Sequence, residues 1–124
     1  MICIFYRVTR PMREPTFWIL TALVEQPRHG YGVIQQVAKL SGGETRLLPA
    51  TLYAALDRLA AEGLVEVDRE EAVDGRLRRY YRLTEEGGAA LTVETQRLSR
   101  KVQTATRLLN TLSPPAGPAT VTFG

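Results

Sequence analysis

Three stretches of the chain repeat their apolar residues with a helical period, and an alternating hairpin and a long heptad seam follow them. The first stretch predicts a helix from about Pro15 to Glu25, with Ile19, Leu20, Leu23 and Val24 as its buried face. Pro15 suits a first turn, where a missing N–H costs nothing, and Pro27 stops the helix. The turn His29-Gly30-Tyr31-Gly32 leads into a second helix that ends near Ser41, at Gly42-Gly43. Its core positions are Ile34, Val37 and Ala38, with Tyr31 as a further candidate. A third helix begins at Pro49 and is ended by Gly63. Leu52, Leu56 and Leu59 stand four and then three residues apart on it, so they share one side. Opposite them lie Ala50, Ala54, Asp57 and Arg58, with Thr51 towards the edge.

The hairpin comes next. Leu64 to Arg69 predicts its first strand, with Val65 and Val67 pointing inward, and the loop runs through Ala72-Val73-Asp74-Gly75. Asp-Gly is a common turn pair because both residues tolerate positive φ. The return strand is Arg76 to Leu83, with Tyr81 and Leu83 on the inward face. Its charge is uneven: Glu66, Asp68, Glu70, Glu71 and Asp74 come early, and Arg76, Arg78, Arg79 and Arg82 come late. Thr84 then caps a long helix to about Leu112, with Glu85 and Glu86 in its first turn. Leu91, Thr95, Leu98, Val102, Ala105, Leu109 and Leu112 form a heptad seam, the mark of a helix that pairs with another helix.

These elements predict a mainly α chain with a two-stranded β wing: a winged helix-turn-helix followed by a dimerisation helix. The expected division is an arm over 1–13, the winged domain over 14–84, the dimerisation helix over 85–112 and a disordered tail over 113–124. A second methionine, Met12, stands just before the regular pattern, so residues 1–11 are read either as sequence upstream of the true start or as a surface arm. The third helix is slim on its outward side and can still donate hydrogen bonds, the shape a major groove admits, and a basic hairpin suits a phosphate backbone.

Composition narrows the partners without naming one. A formal charge of +3 permits a polyanion but does not require it. One cysteine, Cys3, excludes an internal disulfide and fits a reducing cytoplasm, where it is read as inert. No apolar run approaches the roughly 18 residues of a membrane span, so no membrane partner is expected. No nucleophile–base pair, metal constellation or phosphate-cradling loop stands out, and the chain is expected to be no enzyme and to need no cofactor or metal. The alternative to a DNA-binding regulator is a winged-helix module that binds protein. It would put acidic or apolar groups on the outward side of the third helix, where Thr51, Tyr53 and Arg58 stand instead.

The chain also resembles the PadR family of bacterial transcriptional regulators, in particular small members with a single helix after the wing. Pro27 with His29-Gly30-Tyr31-Gly32, Ser41-Gly42-Gly43 and the run from Leu48 to Leu59 carry the likeness. Gly63-Leu64-Val65, the run from Gly75 to Thr84, and Gly87 complete it in the family's order and spacing. Ala50 departs from it, standing where members often have glycine. The resemblance implies a homodimeric repressor of double-stranded DNA, bound at a palindromic operator and released by a small aromatic or lipophilic effector.

Carried over by position, it makes Thr51, Tyr53 and Arg58 contacts to phosphate or base, on a helix entering the groove with Pro49, Ala50 and Ala54. Gly75, Arg76, Arg78 and Arg79 form the phosphate-binding wing tip. Trp18, Leu91, Leu98, Val102, Leu109 and Leu112 are the dimerisation candidates. Plainer readings stand beside these. Tyr53 could pack on the wing, Arg58 could pair with Asp57 or Glu62, and the wing arginines could form a solvated face. His29 is read as a turn or cap residue, and Trp18 as packing rather than as a stack for a flat ligand.

Overall fold

The computed structural model describes residues 11–112, so Cys3, most of the expected arm and the expected tail lie outside the described residues. Pro15 sits in the first turn of helix α1, Glu14–Ala22. The helix stops three residues short of Glu25, because Arg28 Nε donates to the carbonyl of Ala22 at 2.8 Å and the chain turns there. Val24 therefore falls beyond the helix and is exposed, which corrects its place on the buried face. Arg28–His29 form a two-residue strand, β1, that pairs antiparallel with the return strand of the hairpin. The sheet is thus three-stranded, in the order β1-β3-β2. Two residues are too few to show an alternating pattern, so β1 has no signature in the sequence.

Helix α2, Gly30–Leu40, is capped by His29, whose Nδ1 accepts from the Gly32 amide at 3.2 Å. Val33 and Val37, four residues apart, are its fully buried positions, while Ile34 and Ala38 are half-buried. Tyr31 is 64% exposed and is not a core residue. Helix α3, Pro49–Ala61, buries Leu52, Ala55, Leu56 and Leu59, the stripe expected of it with Ala55 added.

Strand β3, Arg76–Leu83, has the expected bounds, whereas strand β2, Val65–Val73, runs longer than the pattern suggested, and Ala72 and Val73 belong to the strand rather than the loop. The connection is only Asp74-Gly75, with φ of 52° and 76°, the two positive values a tight hairpin turn requires. A bulge between Val67 and Arg69 shifts the register. Val67 still faces Tyr81 across the hairpin, but it is 45% exposed where Tyr81 is buried, which corrects its inward placement.

Thr84 joins the hairpin to helix α4, Glu85–Leu109. Its hydroxyl donates to the Gly63 carbonyl at 2.7 Å and accepts from the Gly87 amide at 2.9 Å. Gly87 leaves room for this junction: a Cβ there would strike the Leu64 carbonyl oxygen and come within 2.8 Å of Leu83 Cδ1. The chain divides between Glu94 and Thr95 into two compact units. In the first unit Ile19, Leu20 and Leu23 of α1 and its end meet Val33, Val37, Leu52, Leu56, Leu59 and Val65 in one core, with Leu91 at its edge. The second unit, among the described residues, is the remainder of α4 and the turn after it.

Candidate nucleic-acid interface

With its leucines buried, α3 turns Pro49, Ala50, Thr51, Ala54 and Asp57 to solvent. Short side chains there let another surface approach the helix backbone closely. Tyr53 and Arg58 are five residues apart, so they leave the helix roughly 140° from each other. They consequently serve different flanks. Tyr53, 46% exposed, faces the start of α2 and the hairpin. Arg58 turns the other way, where Nη2 donates to Thr16 Oγ1 of α1 at 2.9 Å. That bond ties α3 to α1, and neither Asp57 nor the wing shares it.

Between α3, the first turn of α2 and the hairpin lies an open cleft of about 730 Å³. Tyr53 and Asp57 line one wall, Gly30 and Tyr31 the floor, and Asp74, Arg76, Leu77, Arg78 and Arg79 the other wall. The structure therefore brings Tyr53 and the wing arginines together and leaves Arg58 outside. Tyr31 and Asp57 were missed as site residues. Tyr31 stands two residues before Val33, on the far side of α2 from the Val33–Val37 stripe, and that spacing was the available signal.

The arginines of the hairpin are not equivalent. Because of the bulge, Glu70 faces Arg79 and Glu71 faces Arg78. Arg79 Nε lies 3.0 Å from Glu70, and Arg82 Nε lies 2.8 Å from Glu66. Arg69 bonds Glu71 at 3.0 Å and Asp68 at 3.1 Å, with its guanidinium 3.9 Å from the centroid of the Tyr80 ring. The bond to Glu71 holds Arg69 above its ordinary pKa, and the same bond holds Glu71 below the usual carboxylate range. The Tyr81 phenol, and after it the Glu70 carboxylate, raise Arg79. Among the described residues no carboxylate lies within ion-pair distance of Arg76 or Arg78. These two, near the tip at Gly75, are the wing arginines without an ion pair, although Arg78 stands across from Glu71 and its charge helps to lower that carboxyl.

His29 sits at the back of the same cleft, its ring edge-on to Tyr80 at 5.3 Å. Burial, and then the positive charge of Arg78, push its pKa down, against a smaller opposing pull from Glu71.

The dimerisation candidates fall into two groups. Trp18 is half-buried against the core of the first unit, edge-on to Phe17 at 5.2 Å, with Nε1 donating to Glu14 at 3.3 Å. Leu91 is 8% exposed in the same core, so it has little surface left for a partner. Leu98 is half-buried, whereas Val102, Leu109 and Leu112 are 64%, 63% and 70% exposed, apolar side chains that no described residue covers. Leu112 lies past the end of α4, which stops at Leu109 rather than Leu112.

The sequence profile of the transcriptional regulator PadR-like family matches residues 19–93, which span the core of α1, the helix-turn-helix, the wing and the start of α4. The chain belongs to this family. A transcriptional regulator of Mycobacterium tuberculosis is 42% identical to it over 80 residues, covering 64% of this chain and 71% of that protein. A Lysinibacillus sphaericus protein of uncharacterised role is 34% identical over 74 residues, 60% of this chain and 68% of its own. Among solved structures, a PadR family transcription regulator from Clostridium difficile superposes with a TM-score of 0.64 at 26% identity, over 76% of this chain and 96% of that one. Bacillus subtilis PadR, solved in complex with operator DNA, superposes with a TM-score of 0.59 at 20% identity, over 88% of this chain and 54% of its own. The PadR-like fold is a winged helix, and PadR-like proteins are regulators rather than enzymes. Among the described residues no helix is long and apolar enough to cross a membrane.

Proposed function

We propose that this PadR-like chain is a cytoplasmic, homodimeric repressor that places α3 in the major groove of a palindromic operator and lays its wing on the adjoining backbone. The observation that carries this reading is the slim outward face of α3 beside a cleft whose far wall holds the unpaired Arg76 and Arg78. Thr51 and Ala54 are near enough to the helix axis to meet base edges, and Tyr53 offers its hydroxyl to a phosphate. Arg58 is given no part, since Thr16 holds it on the opposite flank. The operator complex of the Bacillus subtilis relative supports the choice of partner.

Changing Arg76 and Arg78 to alanine together tests the reading. Affinity for every duplex should fall, and the plot of log affinity against log salt should flatten by about two units, near one for each lost phosphate contact. An unchanged slope in a salt-titrated gel shift of the chain's own promoter region would remove the wing from the mechanism. Release by a small aromatic or lipophilic effector rests on family resemblance. It is tested by titrating such compounds into the protein–DNA complex.

A further inference from the structure

Gly30 opens the first turn of α2, yet its φ is not among the positive values of the chain, so its backbone does not call for glycine. Space does. A Cβ built on Gly30 would collide with the Tyr53 hydroxyl, and would lie 2.5 Å from Cζ and 2.9 Å from Cε1 of the same ring. Gly30 is buried because the phenol of α3 covers it, and the missing side chain is what lets the ring lie there. Among the described residues the Tyr53 hydroxyl has no hydrogen-bond partner, so packing on Gly30 rather than a polar contact holds its direction. The ring lies in the wall of the cleft, across from Arg76 and Arg78.

We infer that Gly30 is a positioning residue: it forms the slot that seats the Tyr53 hydroxyl at the first turn of α2, in the cleft where a DNA phosphate would meet it. This rests on the proposed role of Tyr53 and adds a residue that touches no DNA. The first three atoms an added Cβ would meet all belong to one half-exposed side chain that can swing into solvent. Alanine at this position should therefore leave the fold intact and displace the tyrosine. Alanine also suits a helix better than glycine does, so stability and DNA binding should move in opposite directions. Gly32, two residues on, provides a control, since a Cβ there meets only ordinary contacts, the nearest at 3.6 Å.

The test compares Gly30→Ala, Gly32→Ala, Tyr53→Ala and the double variant Gly30→Ala/Tyr53→Ala, by fluorescence anisotropy on an operator duplex and by thermal melting. Gly30→Ala should weaken binding about 10- to 150-fold, as expected for a lost hydrogen bond to a charged group, with a melting temperature no lower than the wild type's. Gly32→Ala should bind like the wild type. The double variant should bind no worse than Tyr53→Ala alone, because with the ring gone the slot has nothing to seat. A wild-type affinity for Gly30→Ala, or losses that add in the double variant, would overturn the inference while leaving the DNA-binding role of Tyr53 standing. Wild-type affinity for Tyr53→Ala would overturn both. Should Gly30→Ala fold poorly alone, the double variant, in which the space is open, keeps the comparison with Tyr53→Ala. A missing NOE between the Tyr53 ring and the Gly30 Hα in the free protein would also overturn the inference.

Discussion

Protonating His29 at Nδ1 removes the acceptor that caps α2, since that nitrogen receives the Gly32 amide. Burial and Arg78 already hold the folded-state pKa below the ordinary value. A lowered histidine pKa means that the unfolded chain binds the proton more readily than the folded one. Its contribution to stability is whole above the unfolded value, about 6.5, and is lost as pH falls through the lower folded value. Melting temperature should therefore decline on acidification from pH 7 towards 5. Asparagine accepts from the same amide and does not titrate, so His29→Asn should keep the cap and reduce that decline. Parallel melts of both proteins across this range check it; identical slopes would take His29 out of the acid response.

At the scale of one element, the wing is a charge ladder rather than a basic patch. Its acids and arginines alternate across the hairpin because one extra residue near Asp68 brings Glu70 opposite Arg79 and Glu71 opposite Arg78. Exposed pairs of this kind add little to stability. They do, however, occupy cations that a phosphate could otherwise use. Glu70→Gln should remove the charge that neutralises Arg79 while leaving its Tyr81 contact, raise affinity for nonspecific duplex and steepen the salt slope by about one unit, with the melting temperature nearly unchanged. A salt titration on an unrelated duplex measures this, and a wild-type slope would show that Arg79 stays out of reach of DNA whatever its partner.

For the whole molecule, the question is what covers α4. Val102 and Leu109 stand exposed seven residues apart on one stripe of the second unit. Burying each leucine-sized side chain is worth roughly 1.5–3 kcal/mol, which favours a second helix against them. Both side chains are largely exposed, so charging them should cost the fold little. Val102→Asp/Leu109→Asp should then sediment as a folded monomer and hold a palindromic site far more weakly than the parent. A wild-type chain that sediments as a monomer at micromolar concentration would contradict the assignment of this stripe to a dimer.

The sequence by itself determined the order of elements, the leucine stripe of α3, the Asp74-Gly75 turn, the Thr84 cap and, through its motifs, the family. Each of these is local. A helix's apolar spacing, a turn's tolerance of positive φ and a cap's hydroxyl act within a few residues and leave their mark there. Tertiary structure decided the rest, because it depends on what each residue meets. β1 is a strand only because β3 lies alongside it, and the wing's ion pairs follow from a bulge that composition does not reveal. Arg58 and Tyr53 sit on one short helix, yet Thr16 takes the first and Gly30 seats the second. Leu91 and Leu109 belong to one heptad pattern, but the first unit's core encloses only Leu91. Periodicity names the face of a helix that must be covered; the neighbour that covers it comes from distant parts of the chain, or from another chain.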